Sequence, residues 1–129
     1  MDGHRRLELG KTGERLALEH LQSKGYELVE KNWKCRVGEL DIVMKKEGLL
    51  VFVEVRTLDS SEFDDPLASI TRSKVRQVVR TAKSYLSLKP LEPDMDVRFD
   101  VVGVTIHSPD EVSIEHVPNA FDAPEDMFV

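Results

Sequence analysis

The sequence has almost none of the residues that would staple a small protein covalently or around a structural metal. Cys35 is its single cysteine, so an internal disulfide is excluded. One cysteine and four scattered histidines supply no structural zinc set. The lack of a disulfide framework fits a reducing cytoplasm, where this chain is expected to reside. No apolar run approaches the ~20 residues needed to span a bilayer, so no membrane role is expected. The basic start Met1-Asp2-Gly3-His4-Arg5-Arg6 leads into Leu7-Glu8-Leu9 rather than an apolar segment, and so does not read as a signal peptide. Internal repeats and low-complexity stretches are also missing.

What is present suits one globular domain. The chain has 129 residues, 40% hydrophobic and 33% charged, enough for one hydrophobic core and too apolar for a disordered segment. Its net charge of −6 is unpromising for a nucleic-acid binder, but the charges are segregated. Pro66 to Lys89 holds six basic residues and no acidic one; Ser108 to Val129 holds six acidic residues and no Lys or Arg. The sum hides a basic block that permits nucleic-acid binding without establishing it.

Hydrophobic periodicity predicts the order αβββαββ. The first helix is expected over Gly13 to Lys24, capped by Thr12 and stopped by Gly25, with Ala17, Leu18 and Leu21 on its apolar face. Strands are expected over Tyr26–Trp33, Glu39–Met44 and Leu49–Arg56, the last two joined as a hairpin through Lys45-Lys46-Glu47-Gly48. Leu40, Ile42 and Met44 should share a face with Val51, Val53 and Val55. A second helix is expected from Thr71 to Leu88, with Val75, Val78, Val79, Ala82, Tyr85 and Leu86 as its buried stripe. Arg72, Arg76, Arg80 and Lys83 fall on another face. Strands over Val97–Ile106 and Val112–Val117 complete a mixed α/β sheet of about five strands flanked by helices. Residues 1–117 read as one domain and 118–129 as an acidic tail, loop or disordered.

The hairpin brings two acids together. A two-residue Glu47-Gly48 turn places Asp41 opposite Glu54 and Glu39 opposite Arg56, and directly opposed side chains share a face with Cβ atoms about 4.5–5.5 Å apart. Two carboxylates that close repel. A divalent cation resolves the conflict, since Mg²⁺ takes one or two carboxylates together with phosphate and water. Arg56 projects from the same face as Glu54, where it could stabilise charge developing on a phosphodiester, but it cannot act as a base. Glu39 and Arg56 also have a plainer reading, a cross-strand ion pair. The Arg72/Arg76/Arg80/Lys83 stripe, which lacks i,i+4 acidic partners, is either a solvated face or a grip on phosphates. Arg98 and Asp100 could simply pair with each other, and Trp33, Tyr85 and Phe99 read as core.

Gly38-Glu39-Leu40-Asp41-Ile42-Val43 followed by Val51-Phe52-Val53-Glu54-Val55-Arg56 resembles the D-x(n)-(D/E)-x-K core of PD-(D/E)xK, restriction-endonuclease-like proteins. The chain resembles more closely the UPF0102 (YraN) family, itself related in fold to archaeal Holliday junction resolvases. Gly10-Lys11-Thr12-Gly13-Glu14 with Ala17, Lys74, Arg98-Phe99-Asp100-Val101-Val102 and Asn119-Ala120-Phe121 carry the resemblance along nearly the whole chain. It implies a restriction-endonuclease-like single domain and a Mg²⁺ or Mn²⁺ site at Asp41 and Glu54. Glu14 would reach toward the same site, with Glu39 as an accessory carboxylate. The chain departs from the nuclease pattern at Arg56, where lysine is usual, and at Leu58, where many relatives carry a basic residue; Lys74 could compensate. Glu14 has a structural alternative, as an acid favoured by the dipole in a helix's first turn.

Three functions compete on this reading. The first is a metal-dependent endonuclease hydrolysing DNA, more than RNA, with structured or branched substrates inferred by fold analogy alone. Here Asp41, Glu54, Arg56 and Glu14 would be catalytic, Asp41, Glu54 and Glu39 would hold the metal, and Arg72, Lys74, Arg76, Arg80 and Lys83 would bind the nucleic acid. Cutting two strands would call for two copies, so a homodimer accompanies this reading. The second is a catalytically inactive nucleic-acid-binding module of the same fold, and the third an interaction adaptor using the acidic tail.

Overall fold

A computed structural model describes residues 3–59 and 65–122. In chain order the elements are α1 (Gly3–Ser23), β1 (Glu27–Lys34), β2 (Glu39–Lys46), β3 (Leu49–Asp59), α2 (Arg72–Leu88), β4 (Asp96–Ser108) and β5 (Glu111–Phe121). The strands form one mixed sheet in the order β1-β2-β3-β4-β5, antiparallel throughout except for the parallel β3–β4 pair. Parallel neighbours cannot be joined by a tight turn, and α2 supplies the crossover. The predicted order αβββαββ and α/β class are those observed.

The helices cover opposite faces. Ala17 and Leu21 of α1 pack with Ile42, Met44, Val51, Val53, Val102 and Val104, whereas Val78, Ala82 and Tyr85 of α2 pack with Leu40, Val43, Leu50, Phe52 and Phe99. The α2 face is tied together by aromatic rings. Trp33 meets Tyr85 edge-on with centroids 5.2 Å apart, Tyr85 meets Phe52 at 5.8 Å, and Phe52, Phe99 and Phe121 stack in succession at 5.5 and 5.0 Å. These spacings lie in the favourable range for aromatic pairs.

Four features differ from the sequence reading. First, α1 begins at Gly3 and not at Gly13, so Thr12 is no N-cap and Glu14 lies in the helix interior. Glycine disfavours helix by about 1 kcal/mol, which is why Gly10 and Gly13 read as a boundary. At Gly13 a tertiary requirement overrides propensity, because a Cβ there would overlap the Thr57 hydroxyl and methyl. Gly13→Ala is therefore expected to cost about 1–3 kcal/mol by overpacking, read as a lower denaturant midpoint with unchanged slope; an unshifted midpoint would show that α1 does not approach β3 this closely. The predicted stop at Gly25 is observed: Gly25 N–H donates to Gln22 O and Tyr26 N–H to Leu21 O, the paired bonds of a Schellman end.

Second, β5 continues to Phe121, so Pro118–Phe121, expected as loop, is strand. Residues 123–129 lie outside the described residues, and with them the rest of the acidic tail. Third, Leu40 packs under α2 and not beside Ile42. Fourth, Glu39 and Arg56 form no ion pair: Arg56 Nε donates to Ser69 Oγ at 3.1 Å. The third and fourth have one cause. The hairpin register is the expected one, with Ile42 opposite Val53 and Val43 opposite Phe52, set by a turn in which Glu47 and Gly48 both have positive φ. The ladder ends at Ile42–Val53, however, and β2 parts from β3 at Asp41. The strict alternation that would carry Leu40 and Glu39 onto predictable faces ends with it.

Candidate active site

The point where β2 leaves β3 is where the predicted acids gather. The parting strand leaves the Val55 amide without a ladder acceptor, and Asp41 Oδ2 accepts from it at 2.9 Å. The carboxylate is thus held by backbone and turned toward the neighbouring strand. Glu54, next to Val55 on β3, is 5% exposed and lies under the electrostatic influence of Asp41. From the α2 side, Lys74 Nζ lies 3.5 Å from Glu54 Oε1. Thr71 caps α2 by accepting the Lys74 N–H at 3.1 Å, which fixes the first turn that carries this lysine. From the α1 side, Glu14 comes under the electrostatic influence of Asp41 and Glu39. Asn32 of β1, with φ 52°, donates to Glu14 Oε2 at 3.0 Å and Glu39 Oε1 at 3.2 Å once its amide is turned so that the nitrogen, not the oxygen, faces the two acids.

The electrostatics follow from burial and like charge. Burial, then the Asp41 charge, pushes the Glu54 carboxyl up from 4.5 to about 8, against the opposing pull of Lys74 and Arg56. Burial also raises Asp41, opposed by the Val55 N–H and Lys74 and reinforced by Glu39. Glu14 is raised by burial and by the charges of Asp41 and Glu39, with Asn32 and Lys31 acting the other way. Near neutral pH Glu54 therefore retains its proton.

Among the described residues no group of three or more His, Cys, Asp or Glu forms a ready-made metal cage. The donor set instead fits Mg²⁺ or Mn²⁺, hard cations that accept one or two carboxylates and complete their shell with phosphate and water. A divalent cation would displace the Glu54 proton and relieve the repulsion from Asp41 that helps to raise this acid.

The sequence-predicted residues divide accordingly. Asp41, Glu54, Glu39 and Glu14 come together, and Lys74 joins them. Arg56 acts on Glu54 through its charge while its guanidinium is held at Ser69. Arg72, Arg76, Arg80 and Lys83 lie exposed on the outer face of α2. Asn32 was missed, because only the tertiary arrangement shows that its amide spans Glu14 and Glu39; an asparagine inside a strand-like run was its one signal, since Asn tolerates positive φ.

A second buried polar cluster lies on the α1 face of β4 and β5. The Asp100 carboxylate, with no exposed surface, accepts from Arg98 Nε and Nη2, each at 2.7 Å. It also bonds His116 Nε2 at 2.7 Å and accepts the Asn119 N–H at 3.0 Å. Arg98 reaches on to the Tyr26 hydroxyl at 2.7 Å. Three residues, 118–120, separate the partners of Phe99 and Val101 on β5, and Asp100 binds the displaced backbone there through Asn119. Its partners occupy this carboxylate fully, and it serves the sheet rather than the Asp41–Glu54 site. The sequence indicated the Arg98–Asp100 pair and singled out Asn119 as part of a motif, but gave no sign that Asn119 or His116 meets Asp100.

The model of the uncharacterised protein family UPF0102 matches residues 13–104, which span Glu14, Glu39, Asp41, Glu54 and Lys74. A UPF0102 protein of Geobacter sulfurreducens is 40% identical over 119 residues, covering 92% of each chain. One of Myxococcus xanthus is 39% identical over 118 residues, again covering 92% of each. One of Chlorobium chlorochromatii is 39% identical over 119 residues, covering 88% of this chain and 91% of its own. By the extent of the family match and the identity of these relatives over most of their length, the chain belongs to the uncharacterised protein family UPF0102.

Proposed function

We propose that the protein is a metal-dependent endonuclease of the PD-(D/E)xK type, hydrolysing DNA phosphodiester bonds in the cytoplasm. The observation that carries this reading is the pairing of buried Glu54 with half-buried Asp41, held together against their own repulsion and contacted by one lysine. A sheet gains nothing in stability from burying two like charges side by side, so a function is the simpler account of it.

Asp41 and Glu54 would hold Mg²⁺ or Mn²⁺, with Glu14 and Glu39 oriented by Asn32 toward its outer shell. Bound there, a divalent cation polarises the phosphate and eases ionisation of water. Lys74, 35% exposed and 3.5 Å from Glu54, is placed to contact a phosphate oxygen and stabilise the charge that builds on it. From α2 it would compensate for the lysine that this class of site usually carries on β3, where this chain has Arg56, bound to Ser69. In the overall reaction water adds to phosphorus and one P–O ester bond breaks. One product leaves with a phosphate and the other with a hydroxyl, whose oxygen takes up the proton from water.

The test is cleavage of labelled single-stranded, duplex, flap and four-way-junction DNA in Mg²⁺, Mn²⁺ or EDTA. Wild type should cut only with metal, while Asp41→Ala and Glu54→Ala should lose cleavage by a factor of a thousand or more, on the order of 4 kcal/mol in the barrier. Metal-dependent cutting that survives in Asp41→Ala would refute the site. The anchored Arg56 favours one other reading, a nucleic-acid-binding module without turnover. It predicts salt-dependent binding and no cutting with either metal.

A further inference from the structure

We infer that the cleft between α1, β1 and β2 seats one unpaired DNA strand, delivering it to Asp41 from the α1 side. This rests on the nuclease reading and names its substrate class. The cleft has a volume of about 340 Å³ and runs from Lys11 and Arg15 on α1 across to Lys31 on β1, with Asp41 and Glu14 within it. Its lining combines three things that a nucleotide requires. Lys11 and Arg15 lie four residues apart on α1, and so project on one helix face; with Lys31 on the opposite wall they provide cations for consecutive phosphates. Leu18, half-buried at the edge of the cleft, provides apolar surface for a sugar or base. The acids then lie where the intervening phosphate would rest.

Lys11 has no ion pair with another described residue, and Lys31 is close enough to Glu14 to act on its carboxyl. Arg15 pairs with Glu19 at 3.1 Å, an exposed contact that a phosphate can displace. The volume lies at the low end of small-ligand sites, about 300–1,000 Å³, and admits a nucleotide but not a duplex. Paired bases are stacked inside a duplex and cannot reach Leu18 within the cleft, whereas an unpaired strand can. The basic stripe of α2, the sequence's first candidate for backbone contact, faces solvent on the other side of the sheet and does not line this cleft.

The experiment is fluorescence anisotropy in EDTA with a labelled single-stranded oligonucleotide, the matching duplex and an RNA of the same sequence. The proteins are wild type, Lys11→Glu, Lys31→Glu and, for the α2 stripe, Arg80→Glu. All three substitutions are at exposed positions, and circular dichroism confirms the fold of each. The single strand should bind at least tenfold more tightly than the duplex. Lys11→Glu and Lys31→Glu should each weaken it severalfold and reduce the slope of log affinity against log salt by roughly 0.7, while Arg80→Glu should change it little. Equal or tighter duplex binding, tighter RNA binding, no binding, or indifference to both lysines would overturn the inference. Because no metal is present, the two readings fail separately. Lysine-dependent strand binding without cleavage leaves the cleft assignment in place and removes hydrolysis. Metal-dependent cleavage of intact duplex, unaffected by Lys11 and Lys31, does the reverse.

Discussion

In the absence of metal, wild-type protein is expected to lose stability steadily as pH rises from about 4.5 to about 8, and Glu54→Gln to be free of most of that loss. The folded-state value of Glu54 is raised above its ordinary one, by burial and by the Asp41 charge. The folded chain therefore holds this proton more tightly than the unfolded chain does. A group of this kind contributes fully below its unfolded value, here 4.5, and its contribution disappears as pH climbs through the folded value near 8. Each tenfold difference in proton affinity between the two states corresponds to about 1.4 kcal/mol, so the loss amounts to several kcal/mol, shared with Asp41 because the two acids titrate together. Glutamine keeps the shape and neutrality of the protonated acid, so the variant should exceed wild type in stability at pH 8 in EDTA and match it near pH 4. Added Mg²⁺ or Mn²⁺ should stabilise wild type and not the variant. Urea titrations at intervals from pH 4 to 9 decide the matter. A flat wild-type profile, or the same slope in Glu54→Gln, would show that Glu54 is not buried beside a second acid.

Asp100→Asn is expected to destabilise the protein by about 3–5 kcal/mol, the usual cost of breaking a buried ion pair from one side. The substitution leaves Arg98 charged in a site where it is 23% exposed, with its partner carboxylate gone. It also turns one of the two acceptor oxygens into an amide donor, so either His116 Nε2, bound at Oδ2, or the Asn119 N–H, bound at Oδ1, loses its partner. The midpoint of thermal unfolding should fall by roughly 10 °C or more. Burial by itself would raise the Asp100 carboxyl, but the bonds from His116, Arg98 and the Asn119 N–H outweigh it and hold the group below its ordinary 3.8. A lowered acid stabilises the fold above the unfolded value, and that support is lost as pH falls through the lower folded one. Wild type should therefore show an acid transition below pH 3.8 to which the variant is less sensitive. Because this cluster is separate from Asp41 and Glu54, folded Asp100→Asn protein should match wild type in the cleavage assay proposed above. A change of under 1 kcal/mol would show that the network contributes little.

Much of the site could be read directly from the chain. The alternation of Ile42 and Met44 against Val51 and Val53, together with the Glu47-Gly48 turn, determined the hairpin register, because a slip of one residue would turn both aliphatic rows to the wrong face. That register alone is enough to bring Asp41 toward Glu54. The helical period of α2, its Thr71 cap and the Gly25 stop of α1 were equally legible, since each depends on neighbours close in sequence. Nonlocal packing decided the rest. Only the approach of α1 to Thr57 explains why Gly13 lies inside a helix that its own propensity would end. Only the parting of β2 from β3 explains why Leu40 changes sides, why Glu39 turns to Asn32 and why Arg56 turns to Ser69. The reach of Lys74 to Glu54, the closure of Arg98, His116 and Asn119 around Asp100, and the cleft lined by Lys11 and Lys31 each join elements distant in the chain. Periodicity fixes which way a side chain leaves its own strand or helix, and tertiary packing alone fixes what it meets there.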